Sequence, residues 1–201
     1  MSRVLVKICG ITCLEDALAA VEAGADALGF NFFPASPRFT SIEKVAKIVQ
    51  KVPQNTLKVG VFVDAFAPEI ANCVREAGLD LAQVHGETSG LTVRFWQAFA
   101  AGPGLSERMS ASAAEAFLID TPAGAQRGGT GRVFDWSLVQ GLPGRIVLAG
   151  GLGPDNVAEA IRRVRPWGVD ACSRLESSPG RKDSAKMRAL VQAVREAGNE
   201  Q

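Results

Sequence analysis

The sequence is poor in the residues from which disulfide frameworks and metal sites are built. Its 201 residues include four cysteines, Cys9, Cys13, Cys73 and Cys172, and a single histidine, His85. Four cysteines spread this widely do not predict a disulfide-stabilised scaffold, so we expect a reducing, cytoplasmic compartment. Cys9 and Cys13 with His85 make a poor zinc pattern because a fourth ligand is not evident, and we expect no bound metal.

Excess charge of one sign and long apolar runs are also missing. The formal net charge is +1 and the basic residues are scattered, which argues against nucleic acid or an anionic membrane as a partner. No apolar stretch approaches the ~18 residues that would span a bilayer. Residues 1–7 have no apolar core typical of a secretory signal.

What is present is a regular alternation of short apolar runs with amphipathic segments. Apolar runs predict eight strands at 4–9, 26–32, 57–63, 81–85, 94–99, 116–120, 145–150 and 168–172. Helical patterns lie at 13–23, 42–51, 68–77, 106–115, 135–140, 155–164 and 183–197, and the crossover at 87–93 is weakly helical. The order predicts an α/β fold: one (β/α)8 TIM barrel domain over residues 1–201, with short loops. An open doubly wound sheet is the alternative.

The first helix illustrates the pattern. Thr12 and Glu15 have the spacing of a capping box, and Leu14, Ala17, Leu18 and Val21 would form one apolar face. Gly24 would end the helix. The junction EAGADAL at 22–28 resembles EAGLDLA at 76–82, which indicates a repeated βα unit.

Strand alternation predicts which side chains share a face. We expect the polar faces to converge inside the barrel, with Lys7, Lys58 and Asp170 in a buried structural network, since a buried charge is costly unless it is paired. Cys9, His85, Asp120 and Cys172 instead end their strands. Barrel enzymes place catalytic groups there.

Seven motifs, in order along nearly the whole chain, resemble the phosphoribosylanthranilate isomerase family of tryptophan biosynthesis. They are KICGIT at 7–12, SPR at 36–38, QVHGE at 83–87, LIDTP at 118–122, GGTGRVFDW at 128–136, LAGGLGPDNV at 148–157 and SSPGRKD at 177–183. The resemblance implies a (β/α)8 barrel that uses no cofactor. It also implies an Amadori rearrangement of N-(5-phosphoribosyl)anthranilate to 1-(2-carboxyphenylamino)-1-deoxyribulose 5-phosphate.

The resemblance assigns the general base to Cys9 and the general acid to Asp120. Opening the sugar ring needs an acid at the ring oxygen, and the Schiff base that results makes the C2 hydrogen acidic enough for a modest base. A thiol with a pKa of ~8.5 needs a favourable environment, which Lys7 on the same strand face could supply. Asp120 needs the opposite change, a raised pKa, and burial provides it.

The other predicted substrate contacts follow from the two anionic groups of that substrate. The resemblance assigns its carboxylate to Arg38. Its phosphate is expected over the loops after strands seven and eight. GGTG at 128–131 resembles the flexible part of the sixth loop. The residues predicted to bind substrate are Arg38, His85, Gly150, Gly151, Cys172, Ser173 and Arg174.

Two departures from the family pattern bear on substrate binding, at Arg174 and at Gln97. The family usually reads Asp-Val-Ser-Ser-Gly-Val-Glu after strand eight, and this chain places Arg174 where the glycine would be. Arg174 could bind the phosphate, or its bulk and any need for positive φ could spoil the loop; we expect this steric and backbone loss to dominate, so that Arg174→Gly raises kcat/KM. Gln97 replaces a lysine that is frequent in the family.

Alternative functions stay open at this point. One is isomerisation of another phosphosugar, such as the Amadori substrate of histidine biosynthesis, although that relative uses two aspartates. Another is a catalytically reduced barrel that binds phosphorylated ligands or a partner protein. The expected partner is a phosphorylated small molecule, with neither nucleic acid nor a membrane involved, and the protein is expected to be a monomer or a homodimer.

Overall fold

The computed structural model describes residues 3–122 and 134–199. Eight parallel strands close into a barrel in sequence order, with the first strand paired to the eighth. The strands are β1 Leu5–Cys9, β2 Ala27–Asn31, β3 Leu57–Val63, β4 Leu81–His85, β5 Phe95–Ala100, β6 Ala116–Asp120, β7 Ile146–Leu148 and β8 Gly168–Ala171. The predicted barrel is confirmed, and the open sheet is excluded.

Helices cover the outside of this barrel. They are α1 Leu14–Glu22, α2 Ile42–Val49, α3 Ala67–Ala77, α4 Leu105–Ser110, α5 Val157–Val164 and α6 Ser184–Asn199. The β4–β5 connection is made of turns, and 3-10 segments occupy Trp136–Val139 and Ser173–Leu175. A short antiparallel hairpin, β9 Glu176–Ser178 and β10 Arg181–Lys182, precedes α6. Within residues 3–122 and 134–199, no helix is long and apolar enough to cross a membrane.

The start of α1 differs from its prediction. Its N-cap is Cys13, with no side-chain cap, and the Thr12 hydroxyl instead donates to the carbonyl of Gly180 in the β9–β10 turn (2.7 Å). The predicted capping box is therefore wrong. The buried face also differs, because Leu18 is 43% exposed. Asp16 takes an inward position and accepts a hydrogen bond from the backbone of Lys182 (2.9 Å), so α1 is tied to the hairpin.

Two apolar layers hold the barrel together. The larger lies between strands and helices and includes Val6, Ile8 and Phe30, while the smaller fills the barrel interior around Trp96 and Leu118. Each layer needs its own apolar residues, because strands of a parallel barrel are buried on both faces.

Lys58 on β3 was predicted to face the barrel interior. This prediction is wrong because both faces of the strand carry apolar residues. Val59 lies in the interior layer and Phe62 packs under the helices. Lys58 therefore points outward, where its ammonium lies 3.7 Å from a carboxylate oxygen of Asp80. A period of two identifies residues that share a face but does not say which face is inside when both are apolar.

Candidate active site

A cavity of about 960 Å³ opens at the carboxyl ends of the strands. Five predicted site residues line it: Cys9, Arg38, His85, Asp120 and Cys172. The geometry follows from parallel strand order, since every strand delivers its last inward side chain to the same end of the barrel.

Cys9 is the last residue of β1 and is 8% exposed. A hydrogen bond from Cys172 lowers the pKa of Cys9 to about 7, against the opposing effect of burial and with help from the positive charge of Lys7. The ordinary value for a thiol is ~8.5, so a substantial fraction of Cys9 is thiolate at neutral pH.

Lys7 lies one layer below Cys9 and is fully buried. Its Nζ donates to Asp170 Oδ1 at 2.7 Å, and the strand register places the two residues side by side on β1 and β8. Burial opposes the ammonium, but the charges of Asp170 and Cys9 and the hydrogen bonds to them together outweigh it and hold the pKa of Lys7 above its ordinary value. A permanent cation is thereby fixed beneath the thiol, as expected for Lys7 and Asp170.

Asp120 ends β6 and faces the same cavity. Burial, helped by the nearby charge of Asp170 and opposed by the backbone N–H of Thr121 (2.7 Å), raises its pKa to about 6. A Cβ on Gly150 would lie 2.9 Å from Asp120 Oδ1 and 2.7 Å from the backbone nitrogen of Thr121. The absence of a side chain at Gly150 therefore leaves room for the Asp120 carboxyl.

Arg38 lies in the loop after β2 and is held by a residue that sequence reasoning missed. Its Nε and Nη2 donate to the two carboxylate oxygens of Glu176 at 2.7 and 2.8 Å. Lys182 Nζ donates to the same carboxylate (3.0 Å) and to the carbonyl oxygen of Cys172 (3.1 Å). Planar bidentate pairing fixes the guanidinium in one orientation. The glutamate at the end of the family pattern after strand eight was the available signal for Glu176.

Arg174 does not have the backbone that the sequence argument assumed. It lies in the 3-10 segment Ser173–Leu175, and the positive-φ non-glycine residues among those described are Asp64 and Arg165. The expected strain at Arg174 is therefore wrong. Its guanidinium donates to Asp155 Oδ2 (2.7 Å) and to the carbonyl oxygen of Gly151 (3.1 Å).

The other residues predicted to bind the phosphate lie in loops at the rim of the cavity. Gly150 and Gly151 have φ values of 85° and 62°, which glycine adopts without strain. Together with Ser173 and Arg174 they lie in the loops after β7 and β8, beside the residues that line the cavity. The motif GGTG at 128–131 falls outside the described residues.

His85 lies at the end of β4, where its Nε2 is 3.0 Å from Gln83 Nε2. Gln83 also lines the cavity and was not among the predicted site residues. Gln97 alternates with Trp96 and Ala98, which face the interior, so its side chain faces away from the cavity and donates to the carbonyl of Gly86 (3.3 Å). The departure at Gln97 therefore does not change the cavity wall.

The part of the chain that the structure describes has no evident set of metal ligands. No group of three or more histidine, cysteine, aspartate or glutamate residues there could hold a metal ion. The polar groups that line the cavity include two thiols, the Asp120 carboxyl, the His85 imidazole and the Arg38 guanidinium. This is a set suited to proton transfer and anion binding.

Known proteins resemble this chain over nearly its whole length. The family model described as N-(5′phosphoribosyl)anthranilate (PRA) isomerase matches residues 6–193. A relative from Pseudomonas fluorescens strain Pf0-1, N-(5′-phosphoribosyl)anthranilate isomerase, is 45% identical, and the match covers 97% of this chain and 100% of the relative.

Solved structures agree with this match. Phosphoribosyl anthranilate isomerase from Thermotoga maritima superposes with a TM-score of 0.88 at 36% identity, covering 96% of this chain and 99% of that one. A phosphoribosyl anthranilate isomerase in complex with reduced 1-(o-carboxyphenylamino)-1-deoxyribulose 5-phosphate superposes with a TM-score of 0.85 at 34% identity, with the same two coverages. The chain belongs to the N-(5′-phosphoribosyl)anthranilate isomerase family.

Proposed function

We propose that Cys9 is the general base and Asp120 the general acid of an Amadori rearrangement. The chain is an isomerase of tryptophan biosynthesis, acting on N-(5-phosphoribosyl)anthranilate. The observation that carries the residue-level proposal is a pair of opposite pKa changes facing one cavity. The pKa of Cys9 is lowered and that of Asp120 is raised, so each group moves toward the protonation state that its role requires.

In the proposed mechanism, Asp120 first protonates the ring oxygen of the phosphoribosyl group. The ring opens as the anthranilate nitrogen forms a protonated Schiff base, and the positive charge makes the C2 hydrogen acidic. The Cys9 thiolate removes that hydrogen, and an enolamine forms that becomes the ketone of the product on reprotonation at C1. Lys7 stays charged throughout, because its partner Asp170 favours the ammonium.

The two anionic groups of the substrate are proposed to bind at separate places. Arg38, oriented by Glu176, takes the anthranilate carboxylate. The loops after β7 and β8 take the phosphate, through Gly151, Ser173 and Arg174, with His85 and Cys172 in contact with the sugar. The usual position of phosphate sites in these barrels supports this arrangement.

The histidine-pathway alternative is less well supported. A mechanism of that kind needs two aspartates free to exchange protons. Asp120 has a partner candidate in Asp170, but Lys7 holds the Asp170 carboxylate at 2.7 Å. The thiol at Cys9 therefore fits the proposed role better.

The proposal includes the wider setting of the protein. One barrel domain over residues 1–201, a cytoplasmic location and a monomeric or homodimeric state stay predictions. The scattered surface charge and the net charge of +1 support the absence of nucleic acid and anionic membrane among its partners.

Turnover of N-(5-phosphoribosyl)anthranilate, followed by loss of its fluorescence, tests the roles of Cys9 and Asp120. Cys9→Ser and Asp120→Asn should each lower kcat by roughly 10²–10⁴-fold while leaving the circular dichroism spectrum unchanged. Cys73→Ser, a thiol within α3, is the matched control and should retain full activity. Near-full activity of Cys9→Ser would move the base elsewhere, to His85 or Cys172. Turnover of the histidine-pathway substrate alone would favour the alternative.

A further inference from the structure

Two thiols meet at the junction where the barrel closes. The register pairs Lys7 with Asp170 and Ile8 with Ala171, and Cys9 and Cys172 each come directly after this last pair. A Cβ on Gly10, the residue after Cys9, would lie 3.0 Å from Cys172 Sγ, so the second sulfur lies against the end of β1. Serine occupies the position of Cys172 in the family pattern, so the second thiol is a departure that the isomerase mechanism does not require.

The two thiols differ in reactivity. Hydrogen bonding between the two thiols lowers the pKa of Cys9 and raises that of Cys172, so at neutral pH Cys9 is partly thiolate while Cys172 stays a thiol. Lys182 Nζ lies 3.8 Å from Cys172 Sγ, which adds a positive charge on that side. Burial raises the pKa values of Cys13 and Cys73, the latter to about 12, so these two thiols react more slowly.

A small oxidant can reach the pair. Both sulfur-bearing residues line the cavity that is open to solvent for the substrate. Neighbouring strands lie ~4.8 Å apart, within the range of roughly 4.4–6.8 Å between Cα atoms that disulfides span. Because Cys9 ends β1 and Cys172 directly follows β8, the two residues lie where a disulfide between neighbouring segments can form.

We propose that Cys9 and Cys172 form a redox-modification site, at which a hydroperoxide converts the two thiols into a reversible disulfide that blocks turnover. The covalent part of this proposal stands on the arrangement of the two thiols. The loss of turnover rests on the proposed role of Cys9 as the base.

The chemistry proceeds in two displacements. The Cys9 thiolate attacks one oxygen of hydrogen peroxide, the O–O bond breaks, and the departing hydroxide takes a proton to leave as water; Cys9 is now a sulfenic acid. The Cys172 sulfur then attacks the Cys9 sulfur, the S–O bond breaks, and hydroxide combines with the Cys172 proton as a second water. Two electrons pass from the thiols to the peroxide, and a dithiol reductant returns them.

The test uses a Cys13→Ser/Cys73→Ser variant, in which Cys9 and Cys172 are the remaining thiols. This variant should match the activity of the natural chain before oxidation. After hydrogen peroxide, we expect both thiols to be lost to a thiol reagent, peptide mapping without reduction to link Cys9 to Cys172, and turnover to fall at least tenfold. Dithiothreitol should restore turnover to its starting rate.

A third substitution, Cys172→Ser, removes the resolving thiol. Compared with its own rate before oxidation, this variant should lose activity to peroxide without recovery in dithiothreitol, because Cys9 proceeds to the sulfinic acid. Sulfinic acid at Cys9 in the two-thiol parent, or retention of both thiols, would overturn the site. A Cys9–Cys172 cross-link with full turnover would leave the site standing and refute the role of Cys9 as the base.

Discussion

The opposite pKa changes of Cys9 and Asp120 predict the pH profile of kcat/KM. The reactive form needs Cys9 as thiolate, with a pKa of about 7, and Asp120 protonated, with a pKa of about 6. Raising the pH supplies thiolate but removes the proton from Asp120, and lowering it does the reverse. We therefore expect a bell-shaped profile with its optimum near pH 6.5, midway between the two values.

The population of the reactive form, and its change with pH, follow from the order of these two pKa values. Because the base has the higher value, the reactive form is a minority species, on the order of one molecule in twenty at the optimum. At roughly pH 5 and roughly pH 8 its population, and so kcat/KM, should be about sixfold lower. Replacing Cys172 by alanine removes the hydrogen bond that lowers the pKa of Cys9, so the optimum should move to higher pH and the peak should fall.

Two measurements are needed. The first follows kcat/KM from substrate fluorescence at low substrate concentration across this pH range, because kcat/KM reports the free enzyme. The second follows the rate of Cys9 alkylation by iodoacetamide in the Cys13→Ser/Cys73→Ser background, which titrates the thiolate directly. A flat kcat/KM profile, or alkylation that titrates near the ~8.5 of an unperturbed thiol, would refute the reasoning.

Three further substitutions test other parts of the site. Arg174→Gly should raise KM about tenfold, because the backbone of Arg174 is not strained and its guanidinium can form charge-assisted bonds with phosphate. A higher kcat/KM in this variant would instead show that Arg174 impairs the loop. Arg38→Ala should weaken substrate binding and hardly change the Kd of inorganic phosphate measured by calorimetry; equal weakening of both would indicate a general electrostatic role. Lys7→Met should lower the free energy of unfolding in urea by about 3–5 kcal/mol, because it leaves the Asp170 carboxylate buried and unpaired, and Lys7→Met/Asp170→Asn should recover part of that loss. A loss below about 1 kcal/mol would contradict this account of Lys7.

The sequence was sufficient for the barrel and for the set of strand-end residues. Eight apolar runs of strand length with helical spacers leave few topologies, and parallel order then fixes which residues share the cavity end. Parallel strand order therefore predicts that Cys9, His85, Asp120 and Cys172 lie close together. The structure places all four around one cavity.

The predictions that were wrong or incomplete share one physical cause: a polar side chain pairs with a partner that is distant in the sequence. Thr12 has the spacing of a capping residue, but the carbonyl of Gly180 takes its hydroxyl. Lys58 sits on an apolar strand whose two faces look alike in sequence, and Asp80, 22 residues away, attracts its ammonium outward. The pairing of Arg38 with Glu176 joins residues 138 positions apart. Local periodicity carries no information about such distant partners.

The closure of the barrel between β1 and β8 also has a kinetic consequence. The cation beneath Cys9 is paired across 163 residues, and the hydrogen bond that lowers the pKa of Cys9 comes from Cys172, directly after the same distant strand. During synthesis, β8 is made last among the eight barrel strands, so the thiol of the nascent chain keeps its ordinary basicity until that strand docks. Such non-local pairings form slowly because the intervening chain must first be ordered. A refolding experiment should therefore show Cys9 reactivity toward iodoacetamide at neutral pH rising in step with the closing of the barrel, after most helical signal has returned.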